Sequence, residues 1–220
     1  MNPFIIIPAF NEEKHIGNVI RRVKAQGFSN TIVIDDGSHD KGRCGKAAED
    51  AGAIVLRHAI NLGKGCALRT GCDFALRQGA THLVLMDADG QHDPREIPRF
   101  INALDTCGIV FGSRRYDRKM PFIMRFGNTF INSVAKTLFG INLKDTQSGF
   151  RAMSADAYRK VRWNASDYSV ESEMIANASA HQLRYKELMI ENIYREKYKG
   201  TTIFDGIKIV SNMLWWKLAR

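Results

Sequence analysis

Two carboxylates two residues apart, Asp87 and Asp89, follow an apolar run in LVLMDADGQHDP at residues 83–94. Where a strand gives way to a turn, this spacing lets both side chains reach one point. Two anions held that close raise each other's pKa unless a cation stands between them. A hard divalent ion such as Mg2+ or Mn2+ takes oxygen ligands of this kind and leaves its other positions to water or substrate phosphates. An acidic pair before a glycine is also what a solvated turn looks like, so the weight of the motif depends on what arrives beside it.

Two further polar clusters follow apolar runs: residues 8–12 (PAFNE) after residues 4–7, and Asp35-Asp36-Gly37-Ser38 after residues 31–34. A glycine-rich turn, Asn61-Leu62-Gly63-Lys64-Gly65, opens a helical pattern. Several carboxylates, a divalent ion and such a turn suit a nucleotide diphosphate, because the metal stabilises the leaving phosphate as negative charge develops on it. The P-loop pattern and G-x-G-x-x-G are both absent from the sequence, which argues against a P-loop ATPase and a dinucleotide-binding oxidoreductase.

The elements that must position these groups can be read in order. A strand at residues 4–7 is ended by Pro8. Asn11 offers a helix N-cap, Glu12 and Glu13 suit the positive end of the helix dipole, and Ile16, Val19, Ile20 and Val23 form an amphipathic stripe. Strands at 31–34, 53–56 and 83–86 alternate with helices at 41–51 and around Leu68, Cys72, Ala75 and Leu76. The alternation predicts an α/β fold: a single Rossmann-like domain with a mainly parallel central sheet and helices on both faces. In such sheets ligands bind outside the carboxyl ends of the strands, where all three polar clusters fall.

Of 220 residues, 45% are apolar and 25% charged, ordinary for a globular protein and enough for one sizeable core. No run reaches the ~20 apolar residues of a membrane span, and the apolar N-terminal stretch lacks the basic region of a signal peptide. The formal charge of +9 favours polyanionic partners, whether nucleic acid, anionic lipid or phosphorylated small molecules. The basic residues are scattered and several aromatics lie in apolar stripes, so nucleic acid is not the expected partner. Cys44, Cys66, Cys72 and Cys107 form no C-x-x-C pair; they read as small core residues of a protein in a reducing cytoplasm.

IIIPAFNEE, VIDDGSHD, NLGKG, LMDADGQHDP, FGSRR, DTQSGFR and YREKYKG, in consistent order over residues 4–210, resemble a family 2 glycosyltransferase of the dolichyl- or polyprenyl-phosphate sugar synthase branch. The resemblance implies a GT-A fold, a GDP- or UDP-linked sugar donor, Mg2+ or Mn2+, a polyprenyl or dolichyl phosphate acceptor and inversion at the anomeric carbon. Carried over motif by motif, it implies that Pro8, Phe10 and Glu12 line the nucleoside pocket, Ile34 and Asp36 flank the base, and Lys64 joins the donor site. Asp87, Ala88, Asp89 and Gln91 would hold the metal and diphosphate, with Asp87, Asp89 and Gln91 as the metal set. Arg114, Arg125 and Arg195 match positions that offer cations to donor or acceptor phosphate, a task suited to the planar guanidinium fork. Asp89, Arg114, Arg125 and Asp145 form the expected catalytic group. The resemblance divides the single domain into a nucleotide-sugar half (1–112), an acceptor half (113–200) and an amphipathic C-terminal helix (201–220).

The sequence departs from the pattern at Asp40, which is followed by Lys41-Gly42-Arg43 in place of the usual small hydroxyl residue. The common membrane-spanning tail is missing, so membrane contact is expected to be peripheral, on the cytoplasmic face. Two basic stretches could supply it: Ile123, Phe126, Phe130, Ile131, Val134 and Leu138 beside Arg125 and Lys136, and Ile207, Val210, Leu214 and Leu218 beside Lys208, Trp215, Trp216 and Lys217. Core packing explains most such stripes equally well. A phosphate acceptor is ionised near neutral pH and needs no general base, whereas a sugar hydroxyl would need one, with Asp145, Glu171 or Glu173 as candidates. Two alternatives stand beside the lipid-phosphate reading: transfer to a glycan or soluble hydroxyl, and a non-catalytic basic nucleotide- or nucleic-acid-binding protein.

Overall fold

The computed structural model describes residues 1–114, 122–191 and 203–218, without the side chains of residues 122–126, 203–205 and 207. The first half alternates β1 (Pro3–Ala9), α1 (Ile16–Lys24), β2 (Thr31–Asp35), α2 (Arg43–Asp50), β3 (Ile54–Arg57), α3 (Lys64–Arg77), β4 (His82–Leu85) and α4 (Ile97–Ala103). The second half adds β5 (Ile109–Arg114), α5 (Phe122–Phe139), β6 (Arg151–Ser154), α6 (Ala155–Val161), α7 (Val170–Ala180), β7 (Tyr185–Ile190) and α8 (Ile203–Leu218). All seven strands join one sheet in the order β3-β2-β1-β4-β6-β5-β7. Only β6 runs against its neighbours, β4 and β5, so the sheet is mainly parallel, as the alternation of elements requires.

The two-residue period of the strands splits the core into two layers. Phe4, Ile6, Ile32, Ile34, Leu83 and Leu85 face a layer built with α3, α5, α6, α7 and α8. Ile5, Ile7, Val33 and Val84 face the other, built with α1, α2 and α4. Helix α7 is buried along its length from Val170 to Ala178, and as expected for an interior helix it shows no polar stripe. It nevertheless carries Glu171 and Glu173 in its first turn, each only 4% exposed.

Three expectations change. Strand β1 continues through Pro8, which pairs with Ile34 of β2. Ile6 O accepts from Met86 on the β4 side and Ala9 O from Asp36 on the β2 side. By alternation the missing N–H of Pro8 faces β4, whose pairing with β1 has ended at Leu85, so no ladder bond is lost. Helix α1 starts at Ile16, not at Asn11. Asn11 takes a left-handed φ of 57°, which asparagine tolerates, and ties the end of β1 to the next loop. In α8 the buried seam is Ile209 and Met213, while Leu214 and Leu218 of the expected stripe are exposed. Among the cysteines, Cys44, Cys72 and Cys107 are buried as expected and Cys66 only partly.

One side chain stitches the reversed strand to α7. Arg151, the first residue of β6, is 1% exposed. It donates to Thr146 O (2.8 Å), Ser148 O (3.0 Å) and Glu171 O (2.7 Å), and its guanidinium lies 5.0 Å from the centre of the Phe111 ring. Burial lowers its pKa to about 10, which still leaves it charged at neutral pH. Replacing Arg151 with Met would strand three carbonyls in the interior. Denaturant unfolding of Arg151→Met is expected to show a loss of roughly 3 kcal/mol; an unchanged midpoint would contradict this account.

Candidate functional site

The carboxyl ends of β1, β2 and β4 carry the three polar clusters to one edge of the sheet. Because β6 is reversed and Leu85 pairs with Arg151, the segment before β6, residues 145–150, reaches that same edge. Asp87 is the meeting point. Its backbone N–H donates to His92 Nδ1 (3.1 Å), and its Oδ1 lies 2.7 Å from Lys64 Nζ. His92 is 4% exposed and packs edge-on against Phe150. Burial holds His92 below the usual histidine range, so the ring is neutral at neutral pH. With Nδ1 accepting, its proton sits on Nε2, 3.7 Å from Asp87 Oδ2. Burial alone would raise the Asp87 pKa, but the Lys64 ammonium, helped by the imidazole of His92 and by Arg114, outweighs burial and holds it at about 2.

Lys64 also reaches Glu171 Oε1 at 2.9 Å. Burial works against its charge, yet the two carboxylates prevail and hold the ammonium above the usual lysine range. The glycines around it serve close packing. A Cβ on Gly63 would lie 2.4 Å from Ser166 O, and one on Gly65 2.2 Å from Ala165 O. Gly65 and Cys66 donate their N–H groups to Ser166 O, and the Trp163 indole donates to Gly65 O at 2.8 Å. Leu62 and Gly63 donate to Asp36. The turn expected to cradle phosphate therefore has these four amides engaged by protein, and what it presents to the site is the Lys64 side chain.

Where the nucleoside pocket is expected, Pro8 and Ile34 are cross-strand neighbours, but Ile34 is fully buried and would meet a Cβ on Gly71 at 2.5 Å. Its side chain packs β2 on α3 and does not line a surface pocket. Asp36 is 3% exposed. Besides the Leu62 and Gly63 amides at 3.0 and 2.8 Å, it faces His58 Nδ1 at 2.7 Å, and His58 Nε2 lies 3.1 Å from Thr70 Oγ1. Asp36 thus anchors the turn that carries Lys64. Phe10 is 40% exposed and meets His39 edge-on at 5.5 Å. Asn11 fixes that arrangement, accepting from His39 N (2.8 Å) and donating its own N–H to Ser38 Oγ (2.9 Å). Glu12, partly buried, accepts at its carbonyl from His15 and Ile16 as α1 begins.

Asp89 is partly exposed, and its Oδ1 accepts from Gln91 N at 2.9 Å; Ala88 between the two acids is buried. Among the described residues no group of three His, Cys, Asp or Glu side chains stands ready to hold a metal. Two carboxylates and an amide oxygen nevertheless fit a hard divalent ion that fills its remaining positions with water and phosphate oxygens.

The expected catalytic pair on the acceptor side is mutually engaged. Asp145, 1% exposed, accepts from Arg114 Nε at Oδ2 (2.6 Å) and from Nη2 at Oδ1 (3.1 Å). It also accepts from the Arg114 and Gln147 amides. Glu173 accepts from the Asn164 and Ala165 amides at 3.1 and 2.7 Å, which fixes the loop lying on the glycine-rich turn. The Arg125 side chain and Arg195 lie outside the described residues.

Sequence reasoning did not single out Arg151 or His58, and it weighed Glu171 as a base or as a helix-start acid, not as a partner of Lys64. A signal was present for Arg151: an arginine in an otherwise small and apolar stretch, SGFRAM. Asp36→Asn would replace one acceptor oxygen with an NH2 group facing the turn's amides. It is expected to lower unfolding stability by about 2 kcal/mol, measured by denaturant titration; wild-type stability would mean that Asp36 does not anchor the turn.

Residues 4–162 match the family described as Glycosyl transferase family 2. The chain is 33% identical to the UDP-N-acetylglucosamine--dolichyl-phosphate N-acetylglucosaminyltransferase of Methanococcus voltae, with 99% of this chain and 96% of the relative covered. It is 31% identical to the undecaprenyl-phosphate mannosyltransferase of Micrococcus luteus, covering 100% and 95%. A solved structure of glucosyl-3-phosphoglycerate synthase from Mycobacterium tuberculosis, in complex with Mn2+, uridine-diphosphate-glucose and phosphoglyceric acid, matches with a TM-score of 0.75 at 19% identity. That match covers 98% of this chain and 79% of the solved one, and it shares the GT-A architecture. With the matched family spanning most of the sheet and every acidic cluster at its edge, the chain belongs to glycosyl transferase family 2.

Proposed function

We propose that the protein transfers a sugar from a GDP- or UDP-linked donor to the phosphate of a polyprenyl or dolichyl phosphate at a membrane surface. The observation that carries the choice of acceptor is the engagement of the carboxylates considered as general bases. Asp145 is buried under Arg114, Glu173 holds two backbone amides, and Glu171 faces Lys64. A hydroxyl acceptor would need one of them to take its proton. A phosphate monoester, largely ionised near pH 7, attacks without a base. The dolichyl-phosphate and undecaprenyl-phosphate transferases named above, which are relatives of this chain, support the same reading.

In the reaction, an acceptor phosphate oxygen forms a bond to the anomeric carbon from the face opposite the leaving group. The bond from that carbon to the donor's β-phosphate oxygen breaks, and its electron pair leaves with the nucleotide diphosphate, inverting the centre. Asp87, Asp89 and Gln91 would hold Mg2+ or Mn2+, which supplies positive charge for the developing diphosphate. Lys64 adds a cation at the same edge. Arg114, oriented by Asp145, adds a second. Phe10 and His39 offer an aromatic surface beside the nucleoside end, and Pro8 and Glu12 flank it.

Helix α8 suits the lipid part of the acceptor. Leu214, Trp215 and Leu218 are 48%, 67% and 84% exposed, and the exposed Lys208 and Lys217 flank them. An apolar ridge with tryptophan between lysines fits the headgroup layer of an anionic membrane. No described helix is long and apolar enough to cross a membrane.

Calorimetry with UDP and GDP is expected to show binding of one nucleotide that strengthens with Mn2+, weakens with EDTA and falls about tenfold or more in Asp89→Ala. Failure of both nucleotides to bind would refute the donor assignment. Replacing Leu214, Trp215 and Leu218 together by Ser should cut co-sedimentation with phosphatidylglycerol vesicles by roughly tenfold or more while leaving nucleotide binding intact; unchanged sedimentation would exclude α8 as the contact.

A further inference from the structure

Three observations converge on Lys64. Its side chain is 17% exposed and its single ammonium bridges two carboxylates, Asp87 Oδ1 at 2.7 Å and Glu171 Oε1 at 2.9 Å. The second oxygen of Glu171, Oε2, is buried and has no hydrogen-bond partner, an arrangement that costs free energy unless something else uses that oxygen. Gly149 closes the site from above: a Cβ there would lie 2.7 Å from Asp87 Oδ2 and 2.9 Å from Lys64 Nζ. The ammonium is therefore held in a fitted position, with Asp87 already neutralised and Glu171 half used.

We propose that Lys64 is a resident counter-ion that makes divalent-cation binding at Asp87 and Asp89 conditional on arrival of the nucleotide diphosphate, with Glu171 as the positioning residue that takes Lys64 over. This rests on the reading of the Asp87 edge as the diphosphate site. A divalent ion approaching alone meets a carboxylate already paired and an ammonium beside it, and like charges repel. The diphosphate brings the negative charge that pays for both cations. As Asp87 turns to the metal, Lys64 shifts onto Glu171, whose unpartnered Oε2 supplies the missing acceptor, and stays within reach of the phosphates. No bond is made or broken, and the ammonium keeps its proton throughout.

The test is Mn2+ binding followed by the loss of the electron paramagnetic resonance signal of free Mn2+, with and without UDP or GDP. Wild-type protein is expected to bind Mn2+ at least about tenfold more tightly with its nucleotide than without. Lys64→Met should bind Mn2+ alone about tenfold more tightly than wild type and lose most of the nucleotide dependence. Glu171→Gln should weaken nucleotide-assisted Mn2+ binding by about tenfold without weakening binding of the nucleotide alone. Lys64→Met leaves two carboxylates facing each other, so the double variant Lys64→Met/Glu171→Gln, which keeps the local charge balance, is measured beside it, with near-ultraviolet circular dichroism as the check on folding. Mn2+ binding in the nucleotide-free double variant no tighter than in wild type would overturn the proposal. If neither nucleotide binds wild-type protein, the diphosphate reading falls, while the nucleotide-free comparison still decides whether Lys64 competes with the metal.

Discussion

Asp87 stays ionised at the edge of a buried sheet because one ammonium lies against it. The carboxylate is partly exposed, the ammonium beside it more enclosed, and much of the surrounding packing serves to keep Lys64 where it is. Gly63 and Gly65 allow the 165–166 backbone to press against the turn. Trp163 and Ser166 fasten the start of α3 from that loop, and Glu173 fastens the loop itself. Helix α7 reaches the interior with Glu171 in its first turn, and Arg151 ties that turn to the segment before β6. Take away the ammonium and the buried Glu171 would be left facing the partly exposed Asp87 with no cation between them.

The same economy of charge runs through the rest of the edge. Two of the acidic groups that the chain brings there, and one histidine, have defined tasks in fixing other parts of the site. Asp36 fixes the turn bearing Lys64, Asp145 orients Arg114, and His92, neutral, supports the backbone of Asp87. Asp89 is different: partly exposed and, among the described residues, bonded to the Gln91 amide, it carries no cation against it as Asp87 does and is well placed to meet something from outside.

Much of this was legible in the sequence. The alternation of apolar runs and helical stripes gave the mainly parallel sheet, and the acids at strand ends pointed to the one edge of the sheet at which they gather. Other features could not be read because they depend on partners distant in the chain. Asp36 and His58 are 22 residues apart, and Lys64 and Glu171 meet only once α7 is packed, so local patterns carry no sign of either pair. The glycines of NLGKG look like a phosphate turn, since close approach of phosphate and close approach of backbone make the same demand on a residue. The start of α1 was misplaced because asparagine serves equally as a helix cap and as a left-handed link, and Ser38 and His39, outside the helix, decide between them.

The reversal of β6 has a structural corollary. In a sheet whose strands all ran one way, every loop at this edge would leave a strand, and a change in its length would propagate into the helix that follows. The segment at 145–150 instead enters a strand, arriving from the end of α5 at Phe139. It is nonetheless fastened to the β4 loop, with Gly149 against Asp87 and Phe150 against His92, and to β5 through Asp145 and Arg114. One inverted strand thus brings to the edge a segment clamped at both ends, by Arg114 on Asp145 and by the buried Arg151, which roofs the loops leaving the parallel strands.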